Sequence, residues 1–475
     1  MGRFEKIKAR LVANGSQQDR TLFDDLSSPT AAISSIFMVL AIAATERRKK
    51  ATIDVTGAYL NAEMTGEMVV MELDALVARI VLQVAPDSEQ YTDERGRMLV
   101  VLDKALYGCV QSAKLWYETV SAYLRKIGYV SNDVDPCIMN KMVNGKQCTI
   151  CLFVDDILVT CEDEAGIVQL IDALKTEYGE ITVHRDENDL SYIGMHLHSN
   201  GNKTQVSQLA YVMELLTKHQ ITGVAASPAT GSLFEDDGTH ELLSDKDKAL
   251  FHTQVAQLLY LASRTRPDIL LAVIYLTTRV RVPNVLDQKK LLRVFKYING
   301  TKDQVLELGG NSNLVIRAFI DAAFGLHGDA RSHSGLIIKL GWSTILCKSS
   351  KQKIMSKDST EAELVALSDM IVQVLKAQEF VQSQGYSEKR PVVYQDNMST
   401  ISLVTTNGGK FRTKHMRVRR EVVKEYVTNG DVHVVHKPTG QMLADSLTKP
   451  LQGTLLRGMT QGMVCNHHRC VTGVR

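Results

Sequence analysis

The sequence has no excess charge of either sign, few cysteines and no long hydrophobic run. Its 475 residues include 55 Lys and Arg against 53 Asp and Glu, so a nucleic-acid partner would have to contact local basic patches. Eight cysteines are too sparse for a disulfide-stabilised secreted scaffold and predict reduced thiols in a cytosolic or nuclear protein. The longest apolar run, Ala31–Ala44, is shorter than the ~20 residues that span a bilayer, which predicts a buried helix and no membrane partner.

Two cysteine groupings have the spacing of metal ligands. Cys148 and Cys151 lie in one predicted strand, where residues three apart face opposite sides, so shared ligation is not expected. The tail CNHHRC, Cys465–Cys470, lacks a predicted structured context. We therefore expect no zinc at either place.

The hydrophobic pattern divides the chain into three parts. The first mixes strands and helices: KARLV (Lys8–Val12) and the start of KKATIDVTGAYL predict strands, and KLWYETVSAYLRKIGY predicts a helix. A Gly-, Ser-, Pro- and acid-rich stretch, residues 222–245, predicts a linker, and three helices follow it. Beyond Leu314 the predicted order β-β-β-α-β-α-β-α indicates a separate α/β domain.

Two adjacent carboxylates interrupt an apolar ribbon, TICLFVDDILVTC (Thr149–Cys161). Carboxylates left on a buried strand cost several kcal/mol unless something neutralises them. The flanks suit two strands of a hairpin, whose tight turn would let Asp155 and Asp156 project to one side. Such paired oxygen ligands hold Mg²⁺ in proteins, although an exposed hairpin tip would also explain them.

A third carboxylate, Asp54, lies at the end of the apolar strand in ATIDVTGAY. Together with Asp155 and Asp156 it could form a single three-carboxylate site, with Tyr59 near enough to line the same pocket. A solvated strand end is the alternative for Asp54 alone.

Several motifs occur in the order found in one family. IDVTGAY, KALYGCVQSAKLWYE and FVDDIL resemble the reverse transcriptase of copia-type LTR retrotransposons, and KARLVANG resembles its fingers strand. QLLYLASRTRPDILLAV, DSTEAELVALSD, RTKHMRVRREVVKEYV and PTGQMLADSLTKPL extend the resemblance over nearly the whole chain. The resemblance implies that the chain begins within the fingers and lacks the protease and integrase of such polyproteins.

The resemblance implies an α+β polymerase palm and fingers, a helical connection, and an α/β ribonuclease H-like domain with a mixed sheet. The expected boundaries are 1–225 for fingers and palm, 226–310 for linker and helical thumb or connection, 311–452 for the ribonuclease H-like domain and 453–475 for a C-terminal tail.

For the polymerase, the resemblance assigns the metals and catalysis to Asp54, Asp155 and Asp156. Tyr59 matches the aromatic residue that excludes a ribose 2′-hydroxyl. Lys8 and Arg10 match a triphosphate clamp, the alternative being a plain basic edge strand, and Gly108 and Gln111 match a motif beside the templating base. Where the family continues Gln-Ala-Pro, this chain reads Gln111-Ser112-Ala113, and LDALVARIVLQV replaces a proline-glycine segment; both changes touch template or nucleotide positioning.

For the ribonuclease H-like domain, the implied metal ligands are Asp321, Glu363, Asp396 and Asp445. Asp321 and Asp396 end neighbouring predicted strands, and Asp445 is expected to begin the last helix. Glu361 and Glu363 point about 160° apart on a helix, so one alone can face the site. The Glu-x-x-Ala match favours Glu363, and a capping box with Thr360 is the alternative.

Two further features of this domain carry predictions. His436 fits a mobile proton shuttle, the alternative being a surface histidine at a strand end. The run KFRTKHMRVRR contains no acidic residue. It predicts phosphate contacts rather than a merely solvated face, through six cations: Lys410, Arg412, Lys414, Arg417, Arg419 and Arg420.

These observations predict an RNA-directed DNA polymerase with ribonuclease H activity. The expected cofactor is Mg²⁺, two ions in each site, with Mn²⁺ as a substitute. The expected partners are an RNA template, a DNA primer, the RNA–DNA hybrid and deoxynucleoside triphosphates. The expected location is the cytoplasm, in a virus-like particle, or the nucleus. The alternatives are a nucleic-acid-binding relic without catalysis, and a working nuclease attached to an inactive polymerase.

Overall fold

The computed structural model describes residues 9–23, 25–66, 68–186, 188–235, 238–311, 313–386, 389–406 and 414–466. Lys8, Lys410 and Arg412 lie outside the described residues. The α-helices are α1 Ile33–Thr45, α2 Ala75–Val84, α3 Ser112–Lys126, α4 Glu164–Tyr178, α5 Leu209–Lys218, α6 Asp245–Ala262, α7 Leu270–Thr277, α8 Val285–Gly300, α9 Ser359–Ser383, α10 Met398–Thr405, α11 Lys414–Asn429 and α12 Gly453–Gln461.

Within the described ranges, the strands form four sheets. They are β1 Lys49–Val55, β2 Val70–Leu73, β3 Met98–Val101, β4 Val130–Ser131, β5 Ile138–Val143, β6 Lys146–Phe153, β7 Asp156–Cys161, β8 Ile181–His184, β9 Leu190–Tyr192, β10 Met195–Asn200, β11 Lys203–Ser207, β12 Gln304–Gly309, β13 Ile316–Ala323, β14 His333–Leu340, β15 Ser343–Lys351, β16 Val392–Gln395, β17 His433–His436 and β18 Cys465–Asn466.

The first large sheet is antiparallel, with strand order β4-β5-β6-β7-β1-β8. Its central strands are almost fully buried, and α4 packs on the sheet against β1, β7 and β8. Helix α1 is the predicted apolar helix, and Ser35–Ala44 within it are all buried. This sheet places the β6–β7 hairpin beside the end of β1.

The second sheet joins distant parts of the chain in the order β18-β12-β11-β10-β9. Its last strand, β18, follows α12, so the described part of the predicted C-terminal tail is folded. Between β11 and β12 lie the helices α5 to α8, of which α6, α7 and α8 correspond to the three predicted helices.

The third sheet is mixed, with order β15-β14-β13-β16-β17. Strands β13, β14 and β15 are antiparallel neighbours, whereas β16 and β17 run parallel to β13. The predicted hairpin turn near Gly341 is present, with φ of 61° at that glycine. Helix α9 packs on the sheet, and this unit, called the third domain below, has the predicted α/β character.

Two predicted elements are wrong. Residues 9–12 of the predicted fingers strand form no strand, because the segment next to them, around Tyr107, is a loop that offers no strand to pair with. The contact between the two segments is a single backbone hydrogen bond, in which Ala13 N–H donates to the Tyr107 carbonyl at 2.8 Å. Asp445 does not begin the last α-helix but lies inside a 3₁₀-helix, Leu443–Leu447. Lys449 precedes Pro450, and a residue before proline is disfavoured in the α conformation, so the helix cannot continue there.

The hydrophobic core is continuous between the parts of the chain. One cluster joins α1 and the first sheet to β13, β14 and α9. A second joins the helices α5 to α8 to Phe319, Ile337 and Leu447 of the third domain. The third domain is therefore packed against both the first sheet and the helical part. Among the described residues, no helix is long and apolar enough to cross a bilayer.

Candidate active sites

The predicted hairpin at the aspartate pair is formed by β6 and β7. Phe153 pairs with Asp156, so the turn consists of Val154 and Asp155. Val154 has a φ of 60°, a left-handed conformation that is unfavourable for a β-branched residue and marks local backbone strain. The Trp116 indole N–H donates to the Val154 carbonyl at 2.7 Å. This buried tryptophan holds the strained turn from α3.

The three predicted carboxylates, called the hairpin site, meet at this turn. Asp54 of β1 pairs directly with Asp156 of β7, and all three side chains are half-buried. Burial, then Asp155 and then Asp54, raise the pKa of Asp156 to about 6. Three carboxylates that repel one another in a partly dry turn provide a strong electrostatic reason to bind a cation.

Tyr59 lies on the 3₁₀-helix Ala58–Asn61, directly after β1. Its ring contacts the Tyr107 ring with centroids 4.4 Å apart. Burial and then the Asp155 charge raise the pKa of both phenols. The two tyrosines therefore form an aromatic floor next to the carboxylates. The sequence reasoning missed Tyr107, although it stands in the quoted motif KALYGCV.

Arg10 contacts the other side of this floor. Its guanidinium lies 5.0 Å from the centroid of the Tyr107 ring, a distance at which a cation–π interaction is favourable. The structure thus brings one of the two predicted triphosphate-clamp residues to the aromatic pair.

At Gly108 the loop before α3 packs closely against the N-terminal segment. The φ of Gly108 is 93°, and a Cβ atom there would lie 2.0 Å from the Ala13 carbonyl oxygen. No other residue fits without moving this segment, which carries Arg10.

Gln111 is buried and bonded on both sides. Its Oε1 accepts from the Gln18 amide at 3.1 Å, and its own amide lies 3.2 Å from Met64 Sδ. Ser112 begins α3 and donates its hydroxyl to the Leu106 carbonyl at 2.7 Å. This hydrogen bond ties the start of the helix to the preceding loop.

The segment LDALVARIVLQV folds as α2. Asp74 caps it by accepting from the backbone N–H groups of Leu76 and Val77, each at 2.9 Å. The helix has a small core of its own with β2 and β3.

The third domain contains a tighter cluster. Ligand atoms of Asp321, Asp396 and Asp445 all lie within 4.8 Å of one another, and among the described residues no other group of three His, Cys, Asp or Glu meets this limit. The parallel pairing of β13 and β16 brings Asp321 close to Asp396. Asp321 Oδ1 is buried without a hydrogen-bond partner among the described residues. This donor set of carboxylates with one unsatisfied buried oxygen fits a divalent metal.

Glu363 completes what we call the third-domain site. It is 4% exposed on the first turns of α9, and its carboxylate accepts from the Gln395 amide at 3.2 Å. Glu361 instead accepts from the Lys357 backbone N–H at 3.0 Å. The N-cap of α9 is Asp358, so no capping box with Thr360 involves Glu363.

Two residues of this site were not singled out from the sequence. The Thr448 hydroxyl donates to Asp321 Oδ2. The Lys449 ammonium lies 3.5 Å from Asp321 and 3.1 Å from Asp445. Both follow from the quoted stretch LADSLTKPL, where a threonine and a lysine directly after the predicted ligand are a usable signal.

Burial dominates the electrostatics of the third-domain site. It raises the pKa of Asp445 to about 7, with Asp321 as the next cause. It also raises the pKa values of Asp321 and Glu363, although Lys449 opposes the change at Asp321. Burial alone would lower the pKa of Lys449, but Asp321 and Asp445 outweigh it, so that pKa is raised. The repulsion between these buried carboxylates therefore favours the binding of a cation.

His436 ends β17 and is exposed. It pairs with Gln395, the residue before Asp396. The structure thus places the predicted shuttle beside the site and in contact with solvent.

The predicted basic run lies on α11 in its described part. Lys414 and Arg417 are exposed, but Arg419 pairs with Asp369 of α9 and Arg420 pairs with Glu421. The run itself contains no acidic residue, but Asp369 lies next to it in the structure because α9 packs against α11.

Comparisons with known proteins agree with this architecture. Residues 3–230 match the family model described as reverse transcriptase (RNA-dependent DNA polymerase). The chain is 29% identical over 460 residues to the retrovirus-related Pol polyprotein from transposon RE1 of Arabidopsis thaliana, covering 95% of this chain and 30% of that protein. It is 27% identical over 459 residues to the Pol polyprotein from transposon TNT 1-94 of Nicotiana tabacum, covering 94% and 33%. The chain thus spans about a third of these relatives.

A solved structure shows the same fold. The foamy viral protease-reverse transcriptase in complex with RNA/DNA hybrid superposes with a TM-score of 0.50 at 12% identity, covering 86% of this chain and 46% of that one. The predicted fold class, an α+β polymerase fold followed by an α/β domain with a mixed sheet, is confirmed.

Proposed function

Because this chain is a relative of the copia-type retrotransposon Pol polyproteins, we propose that it copies RNA into DNA and cleaves the RNA strand of the hybrid. One observation carries the proposal: two separate groups of carboxylates gather next to two different sheets. The hairpin site is Asp54, Asp155 and Asp156. The third-domain site is Asp321, Glu363, Asp396 and Asp445.

At the hairpin site, the protein's own groups would hold and select the incoming nucleotide. Tyr59 and Tyr107 offer an aromatic surface beside Asp155, where the bulk of Tyr59 would exclude a ribose 2′-hydroxyl. Arg10 stacks on Tyr107 with its N–H groups available to a triphosphate. The rigid hairpin fixes the carboxylates, so little reorganisation is needed at reaction.

At the third-domain site, Lys449 and Thr448 would orient the ligands. Thr448 holds one oxygen of Asp321, and Lys449 bridges Asp321 and Asp445. His436, exposed beside Asp396, is suited to move a proton between the cleaved strand and solvent. The exposed Lys414 and Arg417 would contact the phosphate backbone of the hybrid.

Each site would hold divalent metal, with Mg²⁺ as the expected ion. Such ions would supply Lewis acidity, which would lower the pKa of the attacking hydroxyl or water and neutralise charge on the phosphate. The convergence of Asp321, Asp396 and Asp445 and the unsatisfied Oδ1 of Asp321 support this assignment for the third-domain site, and the pairing of Asp54 with Asp156 supports it for the hairpin site.

A second candidate is a nuclease attached to an inactive polymerase. The tighter convergence of the third-domain carboxylates favours it, since the hairpin site does not bring all its ligand atoms within 4.8 Å.

Two crossed variants separate the candidates. Asp155→Asn should abolish primer extension on an RNA template and preserve hybrid cleavage, whereas Asp321→Asn should do the reverse. Cleavage without extension in the parent protein would select the second candidate. Extension that survives Asp155→Asn would refute the polymerase site.

A further inference from the structure

A chain of buried hydrogen bonds leads from a loop of the third domain to the helix that carries Asp445. His327 Nε2 lies 3.0 Å from His333 Nδ1, and His333 Nε2 lies 2.7 Å from the Ser349 hydroxyl. The Ser349 hydroxyl donates to the Leu447 carbonyl at 2.8 Å. His333 is fully buried on β14, and the chain ends on the 3₁₀-helix Leu443–Leu447.

The donors and acceptors fix the direction of this chain. A carbonyl oxygen can only accept, so the single hydroxyl proton of Ser349 is used on Leu447. His333 must then donate its Nε2–H to Ser349. Its Nδ1 is left as an acceptor for the Nε2–H of His327. Each proton in the chain has one place, and His333 is neutral.

The surroundings favour this neutral arrangement. Burial lowers the pKa of His333 to about 3 and that of His327 to about 4, in each case with a further contribution from Lys351. Asp329 acts in the opposite direction on His327 but is itself paired with Lys351 at 2.7 Å. The Phe234 ring covers the pair, 4.9 Å from the His327 ring. Water is therefore kept from the hydrogen bonds.

The 3₁₀-helix also rests directly on β14. A Cβ atom on Gly335 would lie 2.9 Å from the Ala444 carbonyl oxygen and 3.0 Å from Leu447 Cβ. The backbone of the strand thus supports one side of the helix, and the Ser349 hydroxyl holds its carboxyl end. Asp445 lies between these two contacts, and Thr448 and Lys449 follow at once.

We propose that the His327–His333–Ser349 chain positions the 3₁₀-helix, and with it Asp445, for metal binding in the third-domain site. His333 and Ser349 are positioning residues, since neither contacts the ligand atoms. This inference rests on the proposed function, because it assumes that the carboxylates bind metal.

The test measures Mn²⁺ affinity by calorimetry in the full chain carrying Asp54→Asn and Asp155→Asn, so that the hairpin site does not contribute. Ser349→Ala removes the bond to Leu447. It should weaken Mn²⁺ binding about 10-fold, the lower end of the effect of groups that orient metal ligands. The Mn²⁺ concentration for half-maximal hybrid cleavage, measured without the two background changes, should rise by the same factor.

Three further variants distinguish a positioning role from a general loss of stability. His333→Gln retains one donor and one acceptor and should bind Mn²⁺ as the parent does, whereas His333→Leu should resemble Ser349→Ala. Ser343→Ala is the matched control, because that buried hydroxyl lies at the other end of β15 and accepts from the Gly309 N–H at 2.7 Å. It should lower the melting temperature without changing Mn²⁺ affinity.

The outcomes separate the two ideas. Parent-like Mn²⁺ binding in Ser349→Ala and His333→Leu would overturn the positioning role alone. Equal weakening in Ser343→Ala would overturn it too, since the loss would then follow from reduced stability. If the parent binds no Mn²⁺ and cleaves no hybrid, both the inference and the proposed nuclease fail.

Discussion

Replacing Asp445 with asparagine removes a charge from the third-domain site and leaves the size of the side chain almost unchanged. Burial raises the pKa of this carboxyl to about 7 from 3.8. At 1.36 kcal/mol per pKa unit, ionising Asp445 in the folded, metal-free protein costs about 4 kcal/mol at pH 8. The variant has no such cost. We therefore expect metal-free Asp445→Asn to be more stable than the parent at pH 8, by up to about 4 kcal/mol.

The sign follows from proton binding. Because the folded pKa lies above the unfolded value, the folded parent binds more protons than the unfolded chain between about pH 4 and pH 7. The parent therefore loses stability as the pH rises through this window, and the advantage of the variant shrinks to about 2 kcal/mol at pH 5. Saturating Mg²⁺ should reverse the order at pH 8, since only the parent retains the full ligand set.

The assay is thermal and denaturant unfolding at pH 5 and pH 8, with chelator and with Mg²⁺. Asp431→Asn, an exposed carboxyl before β17, is the matched control and should not change the pH dependence. If Asp445→Asn is less stable than the parent at pH 8 in chelator, the buried carboxylate does not destabilise the metal-free protein. The same conclusion holds if the gain in free energy of unfolding does not increase between pH 5 and pH 8.

Four further outcomes are expected. Asp156→Asn should abolish primer extension with unchanged hybrid cleavage, and residual extension would contradict its role. Tyr59→Ala should raise ribonucleotide incorporation relative to deoxynucleotide by well over the ~10-fold that 1.4 kcal/mol represents; unchanged discrimination would place Tyr59 in the core. Gly108→Ala should raise KM for deoxynucleoside triphosphates, because its Cβ would meet the Ala13 carbonyl oxygen at 2.0 Å; an unchanged KM argues that the segment is not used. Glu363→Gln should stop hybrid cleavage while Glu361→Gln retains it, and the opposite result would shift the ligand by two residues.

The hairpin at the aspartate pair could be predicted because apolar residues on both sides leave the carboxylates only a turn to occupy. The strain at Val154 could not, since sequence patterns favour glycine or asparagine at a positive φ. Tertiary contacts outweigh that preference here: the buried Trp116 binds the Val154 carbonyl.

The third-domain ligands could be predicted from the sequence because parallel strands bring Asp321 and Asp396 to the same end of the sheet. The helix type at Asp445 was predicted wrongly, although Pro450 was a local signal that the helix must end. The partners Thr448 and Lys449 depend on a fold in which the 3₁₀-helix returns to β13, and no periodicity encodes that contact.

Contacts between distant segments could not be predicted from the sequence. The Gly- and Pro-rich stretch near residue 225 indicates a linker, yet Phe234 within it packs against His327 and His333. Likewise Arg48, next to β1, donates to the Tyr386 hydroxyl at 2.6 Å across the boundary of the third domain. Composition separates the segments, whereas the shared core joins them.

The most direct test of the account is one reaction that follows both strands of a single substrate. The full chain is given an RNA template labelled at one end and a DNA primer labelled differently, with Mg²⁺ and deoxynucleoside triphosphates. We expect the primer to be extended and the template to be cut behind the growing end, and both reactions to require metal. A primer that stays at its original length on an intact template, under conditions where the protein is folded, would contradict the central claim.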